Sequence, residues 1–433
     1  MVADPRFFPR NGRVNTSSAS LSLEERDRRW NALRAEMDKS GIDCLLVWGK
    51  GRGQGGNCRW IDNSDSGDRV LVFPRKGKPV TMWAIASWTR WFNESCWEDV
   101  DYLGHEGKDS TAAAQVILDY GYAKGTIGVV GLAGGGMGAE GFIPYFTYAN
   151  LKKMLPDAKF CDAGVILQRL RMYKSEEELR LIEKAAEIAN IEADAALRNA
   201  SPGIRESDLY AIMTSAGLHA GAEPVRDYYT ILSSGKGYPT NRRQTDRLLM
   251  SGDMLQMGIY TRYGGYWAHP HLAISLGPID PEYLPLREAV YESTQNLLAV
   301  LKPGTSWKEV ERVADEPILR RGYYHEITQV HSLGIDGTEP PVAVMSAGQL
   351  PDAAIARRRS PVKGSIRDND EWRDFVATGP KAEEIMVKPG LILALEVKAT
   401  VEDRLFLEFG PQIIVTETGP RILNPDALDV IQL

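Results

Sequence analysis

SGDMLQMGIYTRYGGYWAHPHLAISLG, residues Ser251–Gly277, decides the fold. Gly252-Asp253 makes a turn, and Met254–Tyr260 follows as a short, mostly apolar run of strand length. Gly264-Gly265 reverses the chain, and Tyr266–Leu276 returns as a second run. Two apolar runs hinged on a Gly-Gly turn predict a β-hairpin. The return strand carries His269 and His271, two of only six histidines in 433 residues. Side chains two apart on a strand share a face, so both imidazoles should point the same way.

Upstream, Ser175 and Glu178 form a capping box that opens a long helix to about Asn199. Its alanine spacing suits close packing on a sheet. Ala200–Ile212, ASPGIRESDLYAI, breaks and restarts the helical pattern. About a hundred residues on, Arg287–Leu301 and then Lys302–Ala314 (KPGTSWKEVERVA) repeat the order, with Pro202-Gly203 and Pro303-Gly304 heading the two copies. A repeated helix–break–helix unit predicts a pseudo-symmetric domain over residues 173–433, with helix pairs covering one curved antiparallel sheet. Pro-Gly also follows many unrelated helices, so the echo alone does not settle this.

Residues 1–172 read as a separate α/β domain, which makes the whole chain α/β (α+β). After an irregular arm, Ser22 with Glu25 predicts a helix that Gly41 stops, and Ile42–Trp48 predicts a buried strand. Further strands are expected at Val70–Phe73, Val80–Ala84 and Ile127–Val130. GKGRGQGGNCRW lacks the order of a phosphate loop and reads as a flexible turn. Gly131–Gly138, GLAGGGMG, does not fit the dinucleotide fingerprint and is rejected as one.

A net charge of −7 argues against nucleic acid as a partner. The N-terminus is too polar for a signal peptide and no apolar run nears the length of a bilayer span, so the expectation is a cytoplasmic protein away from membranes. Cys44, Cys58, Cys96 and Cys161 show neither metal nor disulfide spacing.

The order of these segments resembles the pita-bread hydrolases: prolidase, aminopeptidase P, methionine aminopeptidase and creatinase. KSEEELRLIEKAAEIA, SGD at Ser251, QVHSLGIDGTEPP at Gln329, VKPGLILALE at Val387 and IIVTETG at Ile413 follow in family order. The resemblance implies a creatinase-like N-terminal domain, a pita-bread catalytic domain and a homodimer. Metal-dependent members hold two cations with two Asp, one His and two Glu, carboxylates that a pair of divalent ions requires. Here the Asp positions fall on Gly258 and His269. His331 matches the ligand histidine and Glu396 the first glutamate. The last glutamate position falls on Gly410, with Glu408 two residues earlier on the same strand face. Two further histidines of the peptidases fall on Asn241 and Thr338. A dinuclear centre is therefore not expected, and the sequence is closer in character to metal-site-deficient, creatinase-like members.

Creatinase implies that this scaffold can hydrolyse a C–N bond without metal. Its catalytic histidine, however, falls here on Asn241 and its return-strand glutamate on His271. The expectation is a metal-independent hydrolase or lyase of a small polar molecule, needing no cofactor. His331 with His269 or His271 would form an acid/base pair, since imidazole titrates near neutrality. Glu396 and Glu408 would orient an imidazole or hold a cationic group. Asn241, Thr338, Tyr266, Arg59 and Trp60 are candidate substrate contacts, the last two by analogy with dimers whose N-terminal domain reaches the partner's site. Three alternatives stay open: a Xaa-Pro peptidase-like metalloenzyme, a single divalent ion on His269, His331 and Glu396, and a non-catalytic peptide- or protein-binding pocket. His105, His219 and His325 lack motif support and read as structural. The long link over residues 342–388, with Arg357, Arg358, Arg359 and Trp372, reads as a lid, a dimer contact or a solvated loop.

Overall fold

In a computed structural model the described residues are 21–433, apart from 51–54, 65–67, 85–95, 98, 133–140, 225–230, 236–242, 326–328, 344–383 and 402–403. The chain divides into two compact units, Met1–Arg171 and a second that begins at Met172.

The first unit opens with α1 (Leu23–Ser40), capped by the Ser22 side chain, which accepts from the Glu25 N–H, and closed by Gly41 at φ 64°. The Glu25 carboxylate is not spent on the cap: it accepts from Arg28 and Arg29 at 2.7 Å. Strands β1 (Cys44–Gly49), β2 (Arg69–Pro74), β3 (Val80–Trp83), β4 (Asp101–Gly104), β5 (Thr126–Val130) and β6 (Lys159–Asp162) form one mixed sheet in the order β4-β3-β2-β1-β5-β6. Residues of β1 and β2 are buried throughout, which is why they read as continuous apolar runs.

The expected flexible turn at the glycine-rich stretch is corrected in part. Gly56–Asp62 is a helix, α2, with Cys58, Trp60 and Ile61 buried. A Cβ at Gly49 would lie 2.5 Å from Cys58 Sγ, so glycine lets this helix press onto the end of β1. Packing against the sheet overrides the glycine content.

The second unit is built from two helix pairs. Helix α6 (Glu176–Asn199) carries the predicted reciprocal cap between Ser175 and Glu178, and α7 (Glu206–His219) packs beside it. Between α2 and α6 stand α3 (Asp109–Asp119), α4 (Tyr145–Met154) and α5 (Gly164–Met172). The second pair is α8 (Leu284–Val300) and α9 (Trp307–Leu319). Ala185, Ala189, Ala193 and Ala196 of α6 pack on Leu255, Met257, Leu272 and Ile274 of the hairpin. Leu286, Val290 and Leu297 of α8 pack on Leu393, Leu395, Leu405, Leu407 and Ile413.

The expected single curved sheet is broken into shorter ladders. Strands β7 (Ile231–Ser233), β8 (Met254–Gly258), β11 (His271–Ser275) and β19 (Ile431–Gln432) form one sheet. Strands β12 (Val330–Ser332), β13 (Glu339–Ala343), β14 (Ile392–Leu395), β17 (Gln412–Thr416) and β18 (Gly419–Ile422) form another. The hairpin β9 (Thr261–Tyr263)–β10 (Tyr266–Ala268) and the hairpin β15 (Lys398–Val401)–β16 (Leu405–Glu408) stand as separate ladders. Among the described residues a bridge from His271 to Gly410, just before β17, links the hairpin sheet to the other half. The return strand breaks at His269-Pro270, where proline has no N–H to give the ladder. No helix among the described residues is long and apolar enough to cross a membrane.

Candidate active site

Period two places the site. Leu393, Leu395, Val397 and Ala399 face the second helix pair, so Glu396 and Lys398 turn the other way. In β16, Leu405, Leu407 and Phe409 face the helices and Glu408 faces Lys398 across the ladder. In the hairpin, Leu272 and Ile274 join the helix-facing core while His271 points to the opposite side. His269, although it lies in the strand break, is brought to the same place. The predicted common face of the two histidines holds: their Nε2 atoms are 2.8 Å apart.

The result is a buried cluster of His269, His271, His331, Glu396, Lys398 and Glu408. Glu396 Oε1 stands 2.6 Å from His269 Nε2, 2.8 Å from His331 Nε2 and 3.3 Å from His271 Nε2. Its other oxygen accepts from Lys398 Nζ at 3.2 Å. Glu408 Oε1 pairs with Lys398 Nζ at 2.8 Å and His271 Nδ1 at 3.1 Å, both off the directions of a good hydrogen bond.

Backbone partners fix the tautomers. His269 Nδ1 meets the Ile259 carbonyl at 3.0 Å and His331 Nδ1 the Ser332 carbonyl at 2.9 Å. A carbonyl only accepts, so both Nδ1 atoms carry protons and both Nε2 lone pairs turn toward Glu396 Oε1 when the rings are neutral. Two nitrogen lone pairs facing one carboxylate oxygen at these distances need positive charge among them, a proton or a cation. His271 Nε2 is placed to supply that proton.

The electrostatics divide the histidines. Burial, then the charge of His271, lowers the His269 pKa to about 4. Burial also opposes charge on His271, but Glu408 and Glu396 outweigh it and raise its pKa to about 9. Burial would raise Glu396 and Glu408, yet Lys398, His331 and His271 hold the first well below the usual carboxylate range, and His271 with Lys398 lowers the second. Lys398 is raised against its burial by both carboxylates. Glu396 and Glu408 thus stand ionised beside an ammonium on Lys398 and an imidazolium on His271.

Three glutamines hold the frame. The Lys398 N–H donates to Gln329 Oε1 at 2.8 Å, the Glu408 N–H to Gln256 Oε1 at 2.9 Å, and the His269 N–H to Gln412 Oε1 at 3.0 Å. Tyr260 stacks on His269 with ring centroids 3.6 Å apart.

A dinuclear metal centre does not fit these residues. His271 faces Gly258 across the ladder, and a Cβ at Gly258 would lie 2.8 Å from its ring. It is therefore His271, rather than His269, that fills the volume beside Gly258. A Cβ at Gly410 would lie 1.8 Å from the Leu395 carbonyl oxygen, so no side chain can stand there, and Glu408 reaches the cluster instead. Among the described residues two groups lie close enough to hold one ion: His269, His331 and Glu396, and His271, Glu396 and Glu408. Lys398 Nζ lies against both carboxylates of the second group.

Lys398 is the residue that sequence reasoning missed, although it follows Glu396 by two and shares its face. The oxygens of the two glutamates meet imidazoles and an ammonium of the chain itself. Tyr266 is buried, and its hydroxyl donates to Glu178 at 2.9 Å, tying the hairpin to α6; it is a core contact rather than a substrate contact. Trp60 is likewise buried within the first unit, with Arg29 over its ring at 5.1 Å, and Arg59 beside it is half-buried. Thr338 is half-buried in the turn before β13. Asn241, Arg357, Arg358, Arg359 and Trp372 lie outside the described residues. His325 is buried on Asp315 and His105 beside Asp109, as structural histidines would be.

A family model described as Metallopeptidase family M24 matches residues 180–417, and one described as Creatinase/Prolidase N-terminal domain matches residues 29–173. The chain is 29% identical to a Xaa-Pro dipeptidase of Pyrococcus furiosus over 46% of its own length and 56% of that protein's. It is 22% identical to an ectoine hydrolase of Halomonas elongata over 93% of its length and 96% of the relative's. The solved X-Pro aminopeptidase of Thermotoga maritima shares the fold, with a TM-score of 0.72 at 17% identity, covering 94% of this chain and 99% of that one.

Proposed function

Since the chain belongs to metallopeptidase family M24, behind a creatinase/prolidase-type N-terminal domain, we propose that it is a hydrolase of a small polar molecule, cleaving a C–N bond without a pair of metal ions. One observation carries this reading: Lys398 Nζ sits between Glu396 and Glu408, the carboxylates that a metal pair would need. The ectoine hydrolase match spans nearly both chains, whereas the dipeptidase match spans under half of this one, which favours a small molecule over a peptide.

In this reading His331 Nε2 takes a proton from water as the oxygen adds to the electrophilic carbon. The leaving nitrogen takes a proton from the His269–His271 pair, with His271 as the charged reservoir. Lys398 supplies fixed positive charge near the developing oxyanion, in a buried setting where such charge acts strongly. The Ile259 and Ser332 carbonyls orient the two acceptor imidazoles through their Nδ1–H groups. Because Glu396 and Glu408 are already balanced inside the cluster, the substrate's reacting group is neutral rather than a guanidinium. A cytoplasmic homodimer is part of the same proposal, and light scattering tests the dimer.

A second reading is favoured by the two Nδ1–carbonyl bonds, which aim His269 and His331 at Glu396 Oε1 as second-shell bonds aim metal ligands. A single ion on these three residues would supply Lewis acidity. Turnover of small amides and lactams, measured before and after dialysis against a chelator, separates the two. The leading reading predicts unchanged turnover after dialysis and a loss of about 10²–10⁴-fold in His331→Ala. Turnover that vanishes with the metal, or survives intact in His331→Ala, contradicts it.

A further inference from the structure

We propose that His271, Glu396 and Glu408 form a metal-shaped cage whose ion has been replaced by the chain's own Lys398, so that removing this one side chain opens a divalent-cation site. The inference rests on the reading above and deepens it by assigning Lys398 the position of an ion.

Each residue of the cage offers one ligand atom, and these atoms lie within 4.8 Å of one another. An imidazole and two carboxylates suit zinc, cobalt or manganese. The ammonium stands 3.2 Å from Glu396 Oε2 and 2.8 Å from Glu408 Oε1, against both carboxylates of the group. Lys398 is fully enclosed, and its backbone is clamped on both sides by Gln329, which accepts from its N–H at 2.8 Å and donates to its carbonyl at 3.2 Å. Register does the rest: Lys398 and Glu408 are direct cross-strand neighbours in a short antiparallel ladder, and Glu396 is two residues away on the same face. The side chain therefore has no other place to go. A tethered monovalent cation neutralises the carboxylates continuously, needs no supply of free ion, and excludes a divalent one by charge and by volume.

The test uses cobalt(II) with the full chain. His331→Ala is the background, because it disables the other ion-holding group while leaving His271, Glu396 and Glu408 themselves in place. Calorimetry and thermal unfolding are read with and without cobalt. His331→Ala alone should bind no cobalt in a manner that Glu408→Gln abolishes. His331→Ala/Lys398→Ala should bind one equivalent at least about a hundredfold more tightly, with a rise in Tm on adding cobalt that the background lacks. Adding Glu408→Gln should remove both effects. Cobalt binding to the background that depends on Glu408 overturns the proposal even if the Lys398 variant does not fold. So does a folded Lys398→Ala variant with no gain. These readouts are binding and stability, so they stand or fall separately from metal-free turnover.

Discussion

The two halves of the second unit share a helix pair over a sheet, yet they supply opposite chemistry. The hairpin half, under α6 and α7, contributes His269 and His271, with glycine at 258. The other half, under α8 and α9, contributes His331, both carboxylates and Lys398. A paired-ion centre needs anionic ligands from both sides; here all of them come from one side, and that side brings its own cation. Both carboxylates meet Lys398 of their own side and an imidazolium, His271, that crosses from the hairpin. The cores differ in the same way. Helix α6 sits on the hairpin with alanines, whereas α8 meets its sheet with Leu286, Val290 and Leu297.

Breaking the balance on the carboxylate side should have the larger effect. Lys398→Met keeps the volume and leaves two buried carboxylates facing one imidazolium. Removing one partner of a buried ion group costs about 3–5 kcal/mol, and denaturant unfolding measures it. If the variant is as stable as the parent, Lys398 is a spectator.

The hairpin side is sharpened by pH, with a smaller effect. His271 is raised from 6.5 to about 9, so its contribution is complete below the ordinary value and is lost as pH rises through about 9. His269 is lowered from 6.5 to about 4, so its contribution is present above the ordinary value and is lost as pH falls through about 4. Each pKa unit corresponds to about 1.4 kcal/mol. Stability measured by unfolding should therefore peak near the ordinary histidine value and fall on both sides. Replacing His271 with Gln should flatten the alkaline limb and, by removing a charge that lowers His269, also soften the acid limb. An unchanged alkaline limb in that variant removes the assigned charge.

Local signals made most of the frame legible. The Gly-Gly turn, the Ser175–Glu178 cap and the Pro-Gly echo each act over a few residues, and the elements they predict are present. His269 and His271 were readable as a pair because period two survives the Pro270 break. Lys398 follows the same rule, two residues from Glu396 on the same face, but no local pattern separates a buried lysine from a solvated one. The three glutamines were not legible. Gln256, Gln329 and Gln412 act on backbone groups about 70 to 150 residues away, and no local pattern marks such partners. Helix α2 was hidden by its glycines, since close approach to β1 is a tertiary requirement. Tyr266 misled because its strand position resembles that of a pocket residue while its hydroxyl is used up on Glu178.

The central claim is that Lys398 and His271 neutralise Glu396 and Glu408 in place of paired ions. Anomalous diffraction from crystals soaked in manganese tests it directly. The account predicts the ammonium in place between the two glutamates and no ion beside it. Two manganese ions at full occupancy, with Lys398 displaced, would contradict it.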